Sequence, residues 1–174
     1  MSASKQTAFD YIDEKAGVIT DVSDKIWDYA ELSLREYKSG DLYAKVLKEE
    51  GFTVDHPFDN IETAFRASYG SGKPVIGILA EYDALTGLSQ VAGSEKREEL
   101  VADGNGHGCG HNLLGAGSMA AAFAIKKYLE EKGFLDHVIE LEASTATVTE
   151  AAAALHVEPS MIAKTMSFLQ NDKA

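Results

Sequence analysis

Cysteine is almost missing from this chain: Cys109 stands alone among 174 residues. No disulfide can form within the chain, and the cytoplasm is the expected setting. No apolar run approaches the ~20 residues that a membrane-spanning helix needs. The opening Met-Ser-Ala-Ser-Lys-Gln-Thr lacks the apolar core of a secretory signal, so no membrane partner is expected. There is no block of Lys and Arg, and the net charge is −12. Both argue against nucleic acid and anionic membranes as partners. The acidic residues are spread along the chain, as on a solvated surface. Internal repeats are absent, and the only low-complexity stretch is the short alanine run at 151–154. What is present is ordinary for a soluble globular protein: 45% hydrophobic and 25% charged residues, over a length that suits one domain with a real core.

The spacing of apolar residues predicts a long amphipathic helix over 17–37, with Val18, Val22, Ile26, Tyr29 and Leu32/Ser33 on one face. Ser39 can cap a second helix that buries Leu42, Val46 and Leu47 and ends at Gly51. A short strand is expected at 52–54. Residues 63–69 alternate weakly, 70–74 form a turn, and 75–80 are continuously apolar, which predicts a hairpin whose second strand is buried on both faces. Glu81 and Asp83 follow that strand. A strand end in an α/β sheet is where sites form, and a solvated loop is the competing reading. Residues 90–104 form a polar loop. An alanine-rich helix over 113–132 ends at Gly133. Beyond it come a strand at 137–141, a Thr147/Glu150 capping box, a short helix near Pro159 and a strand at 165–169.

The sharpest chemistry lies at Gly106-His107-Gly108-Cys109-Gly110-His111. A period of two puts His107, Cys109 and His111 on one face of an extended segment. The intervening glycines let the backbone bend and approach a ligand closely. Thiolate and imidazole suit zinc and its borderline-soft neighbours. The loop is therefore a candidate metal corner, mounted at the start of a helix. A structural turn with a buried thiol is the alternative. His107 can equally be a hydrogen-bonding neighbour of the metal.

The first part resembles the metal-dependent amidohydrolases that include indole-acetyl-amino-acid hydrolases and p-aminobenzoyl-glutamate hydrolases. The likeness rests on Ile26-Trp27-Asp28-Tyr29-Ala30-Glu31-Leu32, Gly72-Lys73-Pro74-Val75-Ile76-Gly77, Ala80-Glu81-Tyr82-Asp83-Ala84-Leu85 and Gly106-His107-Gly108-Cys109-Gly110-His111-Asn112-Leu113-Leu114-Gly115. It runs over residues 5–132. The resemblance implies Cys109 and His111 as ligands of a divalent metal, zinc or manganese, and Asp83 as an orienting carboxylate. It also implies a small N-acyl or N-aroyl amino acid as substrate. In that chemistry metal ions polarise the amide carbonyl and acidify a water, and a glutamate moves the proton. The family places that glutamate in an adjacent Glu-Glu pair on the next strand. No such pair follows Lys132 here, where Glu140 and Glu142 are two apart.

The last part resembles the start of the aminoacyl-tRNA deacylase (prolyl-tRNA editing) family. The matching residues include Val157-Glu158-Pro159-Ser160 and Ile162-Ala163-Lys164-Thr165. Lys164 would be the functional lysine of an editing pocket. The expectation is an α/β protein: a partial metallopeptidase-like mixed sheet with covering helices, followed by a short βα segment. Residues 1–132 would form a partial amidohydrolase catalytic domain, and 133–174 a fragment of a deacylase-like domain. The expected function is a truncated, weakly active or inactive amidohydrolase. A non-catalytic remnant or interaction module and a deacylase module are the other readings. An oligomer is compatible with all three.

Overall fold

The computed structural model describes residues 3–71 and 75–133. The elements expected beyond Gly133, with Glu140, Glu142 and Lys164, lie outside the described residues. Four helices carry most of the structure: α1 (Ala3–Glu14), α2 (Ala16–Tyr29), α3 (Tyr37–Glu49) and α4 (His111–Lys132). Two short strands, β1 (Thr53–Asp55) and β2 (Arg66–Ser68), form an antiparallel pair with Val54 opposite Ala67. Mixed helix with a small sheet is compatible with the α/β class, although among the described residues no larger mixed sheet is formed. No described helix is long and apolar enough to cross a membrane.

Helices α1 and α2 pack against α4, and α3 packs against α2 and β1. The core joins Val22 and Ile26 of α2, Tyr43, Val46 and Leu47 of α3, and Met119 and Phe123 of α4. Phe52, Phe65 and Tyr82 extend it as a cluster of rings around Tyr43 and Phe123. The apolar periods of α2 and α3 account for these contacts. Helix α1 had no strong sequence signal. It is held by contact with α4 and by Tyr11, which lies against the core.

Three expectations are corrected. The helix predicted over 17–37 stops at Tyr29, because Ala30 takes a left-handed conformation (φ 43°) and the chain turns. That turn lets Leu32 pair with Ala84 and lets the Ala84 N–H donate to the Glu31 carbonyl at 2.7 Å. Ser39 lies inside α3 rather than capping it. The Glu31 carboxylate instead accepts from the Lys38 and Ser39 N–H groups at 3.0 and 2.9 Å. Residues 75–80 form no strand, and β2 pairs with β1 instead. A strand buried on both faces needs neighbours on each side. Among the described residues none pairs with this segment, which leaves Leu79 83% exposed. It still lies along α4, where the Ser118 hydroxyl donates to the Leu79 carbonyl at 2.9 Å. Gly51 and Gly133 close α3 and α4 with positive φ, as their positions predict.

Candidate functional site

The glycine-rich loop is fastened to the C-terminal half of α2. Asn105 donates to the Ala30 carbonyl at 3.1 Å, and Asn112 to the Ser23 hydroxyl at 3.1 Å. Between them His107 Nε2–H donates to the Ile26 carbonyl at 2.9 Å. The Ile26 carbonyl, which also accepts from the Ala30 N–H at 3.1 Å, has a second lone pair that takes the His107 donor. Residues 85 and 106 add a backbone bridge between the loop and the Glu81–Leu85 stretch. A side chain at Gly106 would collide with the Leu88 carbonyl, so only glycine permits this approach.

The loop delivers His111 to the first position of α4, against the segment that follows residue 80. His111 Nδ1–H donates to Asp83 Oδ1 at 2.6 Å, and His111 Nε2 stands 3.2 Å from Glu81 Oε2. A neutral imidazole donates from one nitrogen and presents a lone pair at the other. With Nδ1–H committed to Asp83, the Nε2 lone pair faces a carboxylate. That arrangement is repulsive unless a proton or a cation lies between them.

Cys109 is exposed, on the loop just before α4. His107 is buried and stacks on Trp27, with ring centroids 6.3 Å apart. Burial pushes its pKa down, despite the bond to Ile26. Its Nδ1 is buried with no hydrogen-bond partner among the described residues. His107 thus has the surroundings of a structural or neighbouring residue, the second of the two roles open to it.

The donors suit a divalent cation in kind: imidazole and carboxylate, with a thiol in the adjoining loop. They also suit it in spacing. Two zinc donors at a tetrahedral angle lie about 3.4 Å apart, close to the 3.2 Å between His111 Nε2 and Glu81 Oε2. In number they fall short. Among the described residues no group of three or more His, Cys, Asp or Glu side chains is arranged to hold a metal ion.

A cleft of about 490 Å³ opens beside His111. Its lining includes Glu81, Asp83 and His111, the buried Glu36, Tyr82, and the exposed side chains of Leu34 and Ile61. Glu36 carried no motif signal, because the segments that form its cleft are far apart in sequence. Glu81 was visible only as one of two acids flanking Tyr82.

No protein-family model matches the chain. It is 52% identical over 114 residues to a p-aminobenzoyl-glutamate hydrolase subunit of Escherichia coli (strain K12), covering 66% of this chain and 24% of that protein. It is 29% identical over 136 residues to the Xaa-Arg dipeptidase of Mus musculus, covering 72% and 28%. The human Xaa-Arg dipeptidase is likewise 29% identical, over 132 residues, covering 68% and 26%. The chain thus spans about a quarter of the length of the curated relatives it matches. Its N-terminal part is homologous to these amidohydrolase-family proteins.

Proposed function

We propose that the chain carries one corner of a metal-dependent amidohydrolase site. Cys109 and His111 are its metal ligands, Glu81 adds a carboxylate donor beside His111, and Asp83 orients His111. The ion is zinc or manganese, and the substrate is a small N-acyl or N-aroyl amino acid. The observation that carries the reading is the His111 ring held between Asp83 and Glu81, in a chain 52% identical over 114 residues to part of a hydrolase. A bound metal would supply a polarised amide carbonyl and an acidified water. Asp83 fixes the tautomer and the angle of His111, which a metal-binding histidine requires. The cleft walls hold the acyl amino acid beside it.

Elemental analysis tests the ligands. The wild type should retain divalent metal after purification, and Cys109→Ser and His111→Ala should each lose most of it. Equal metal in all three would overturn the assignment. Turnover should be slow. Glu140, Glu142, Glu150 and Glu158 are the only glutamates after Lys132, and no two are adjacent. Lack of a general base typically costs ~10²–10⁴-fold in rate. Robust hydrolysis of an N-acyl amino acid by the 174-residue chain, abolished by Cys109→Ser, would overturn the expectation of weak activity. A non-catalytic binding module is the second reading, supported by the short donor count among the described residues. The deacylase reading of residues 133–174 rests on sequence motifs alone.

A further inference from the structure

The glycine-rich loop carries its thiol on a tight turn, and a leucine outside the motif grips that turn. Gly110 N–H donates to the His107 carbonyl at 2.9 Å, which closes a turn with Gly108 and Cys109 at its two central positions. Glycines on both sides of Cys109 leave such a turn many conformations, so something must hold it if the thiol is to keep one place. Gly110, with φ 75°, needs glycine for its backbone. Gly108 does not, because its φ lies outside the left-handed region. What requires glycine there is space. A methyl carbon on Gly108 would fall 2.5 Å from Leu88 Cδ1, 3.5 Å from Cγ and 3.6 Å from Cβ. The Leu88 side chain therefore lies directly on the backbone of Gly108.

Leu88 is brought there by its own segment. The Leu85 and Gly106 backbones exchange two hydrogen bonds of 2.9 Å, and the Ser89 N–H donates to the Gly104 carbonyl at 3.0 Å. Between those anchors the chain turns back at Gly87, in a left-handed conformation (φ 67°). Leu88 is thus pinned from both sides and laid over the loop, its carbonyl against Gly106 and its side chain against Gly108. It is 44% exposed and stands outside the core cluster, so its packing serves the loop rather than the helices.

We propose that Leu88 is a positioning residue for Cys109: its side chain wedges the turn over 107–110 and fixes where the thiol stands at the start of α4. Use of that thiol as a metal ligand rests on the amidohydrolase reading, whereas the wedge rests on the packing alone. A ligand held in place before the ion arrives binds it more tightly, because the cost of ordering is already met.

Two measurements on the full chain test this. Amide hydrogen exchange with chelator present reports opening of the turn at the Gly110 N–H, and global stability at Phe123 in the core. Titration with cobalt reports the site: a thiolate charge-transfer band marks Cys109, and ligand-field bands mark all bound cobalt. Leu88→Ala should speed exchange at Gly110 about tenfold, the worth of roughly two buried methyl groups, and leave Phe123 unchanged. It should weaken cobalt binding by ~10–100-fold, the usual cost of losing a residue that orients a ligand. The thiolate band should fall more than the ligand-field bands. Leu88→Met, which conserves volume, should behave as wild type. Gly108→Ala should loosen the turn in the wild-type background, where its methyl evicts the tip of Leu88. In the Leu88→Ala background it should tighten the turn, because Cβ atoms 3.6 Å apart at the two positions make an ordinary contact. General destabilisation gives no such reversal of sign. Equal Gly110 exchange in wild type and Leu88→Ala would overturn the inference. So would a Gly108→Ala effect of one sign in both backgrounds, or a cobalt–thiolate band unchanged by Leu88→Ala. If no protein in the series binds cobalt, the metal reading falls alone, and the exchange pattern still decides the wedge.

Discussion

Asp83 shows how much a single residue decides here. Its Oδ1 holds His111 Nδ1 at 2.6 Å and so fixes which ring nitrogen is free for a cation. Asp83→Ala should lower metal affinity by ~10–100-fold, the usual cost of losing such a partner. Asp83→Asn should restore part of it, because the amide oxygen still accepts from Nδ1–H. Metal titration against a competing chelator checks this, and unchanged affinity in Asp83→Ala would remove Asp83 from its orienting role. That Asp83 lies beside the site as an orienting carboxylate was legible only through the family resemblance; its pairing with His111 was not read from the sequence, since 28 residues separate the partners. His107 shows the opposite case. Alternation with Cys109 and His111 suggested a common face, yet the loop turns its ring onto the Ile26 carbonyl. Period-two reasoning holds only for an extended chain, and this segment bends.

At the scale of elements, α4 is the mount on which the site is built. Its first residue is His111, and its buried face carries Gly115, Met119 and Phe123. Gly115 lies where the Tyr43 hydroxyl of α3 and the Glu81 carbonyl meet the helix. A methyl group there would push against both. Gly115→Ala should destabilise the fold by about 1–3 kcal/mol and should also disturb the Glu81–His111 contact. Denaturant melts together with metal titration would show both effects, and a neutral substitution would mean that the approach is looser than drawn. The extent of α4 could be read from its alanine-rich pattern and terminal glycine. The fate of residues 75–80 could not. A continuous apolar run says that the segment prefers burial, but a strand exists only when a neighbouring strand supplies hydrogen bonds.

Over the whole molecule, one charged network ties the helices together. Glu50, at the end of α3, accepts from Lys15 at 2.7 Å and from Tyr11, and Lys126 of α4 stands 3.6 Å away. Burial by itself raises the Glu50 carboxyl. The hydrogen bonds from Lys15 and Tyr11, with the charges of Lys15 and Lys126, outweigh it and leave the group below its ordinary value. The unfolded chain then binds more protons than the folded one in acid, so stability rises with pH across that range. The contribution is complete above the unfolded glutamate value of about 4.3 and is lost as pH falls through the lower folded value. Glu50→Gln should flatten that acid limb. At neutral pH it should cost about 1–3 kcal/mol, because Lys15 loses its carboxylate acceptor and Lys126 keeps only Glu130 at 3.5 Å. Thermal melts from acid to neutral pH would test this, and parallel curves for the two proteins would refute it. By itself the sequence determined that helices exist where α2, α3 and α4 lie, the apolar faces of α2 and α3, and the candidate residues Asp83, Cys109 and His111. These follow from local periodicity, helix-ending glycines and motif order, all of which act over a few residues. Only the tertiary structure decided that Glu31 caps α3, that Glu81 faces His111 and that the buried Glu36 Oε2 has no hydrogen-bond partner among the described residues. Each of those depends on bringing together segments far apart in the chain, and no local pattern encodes the distance between them.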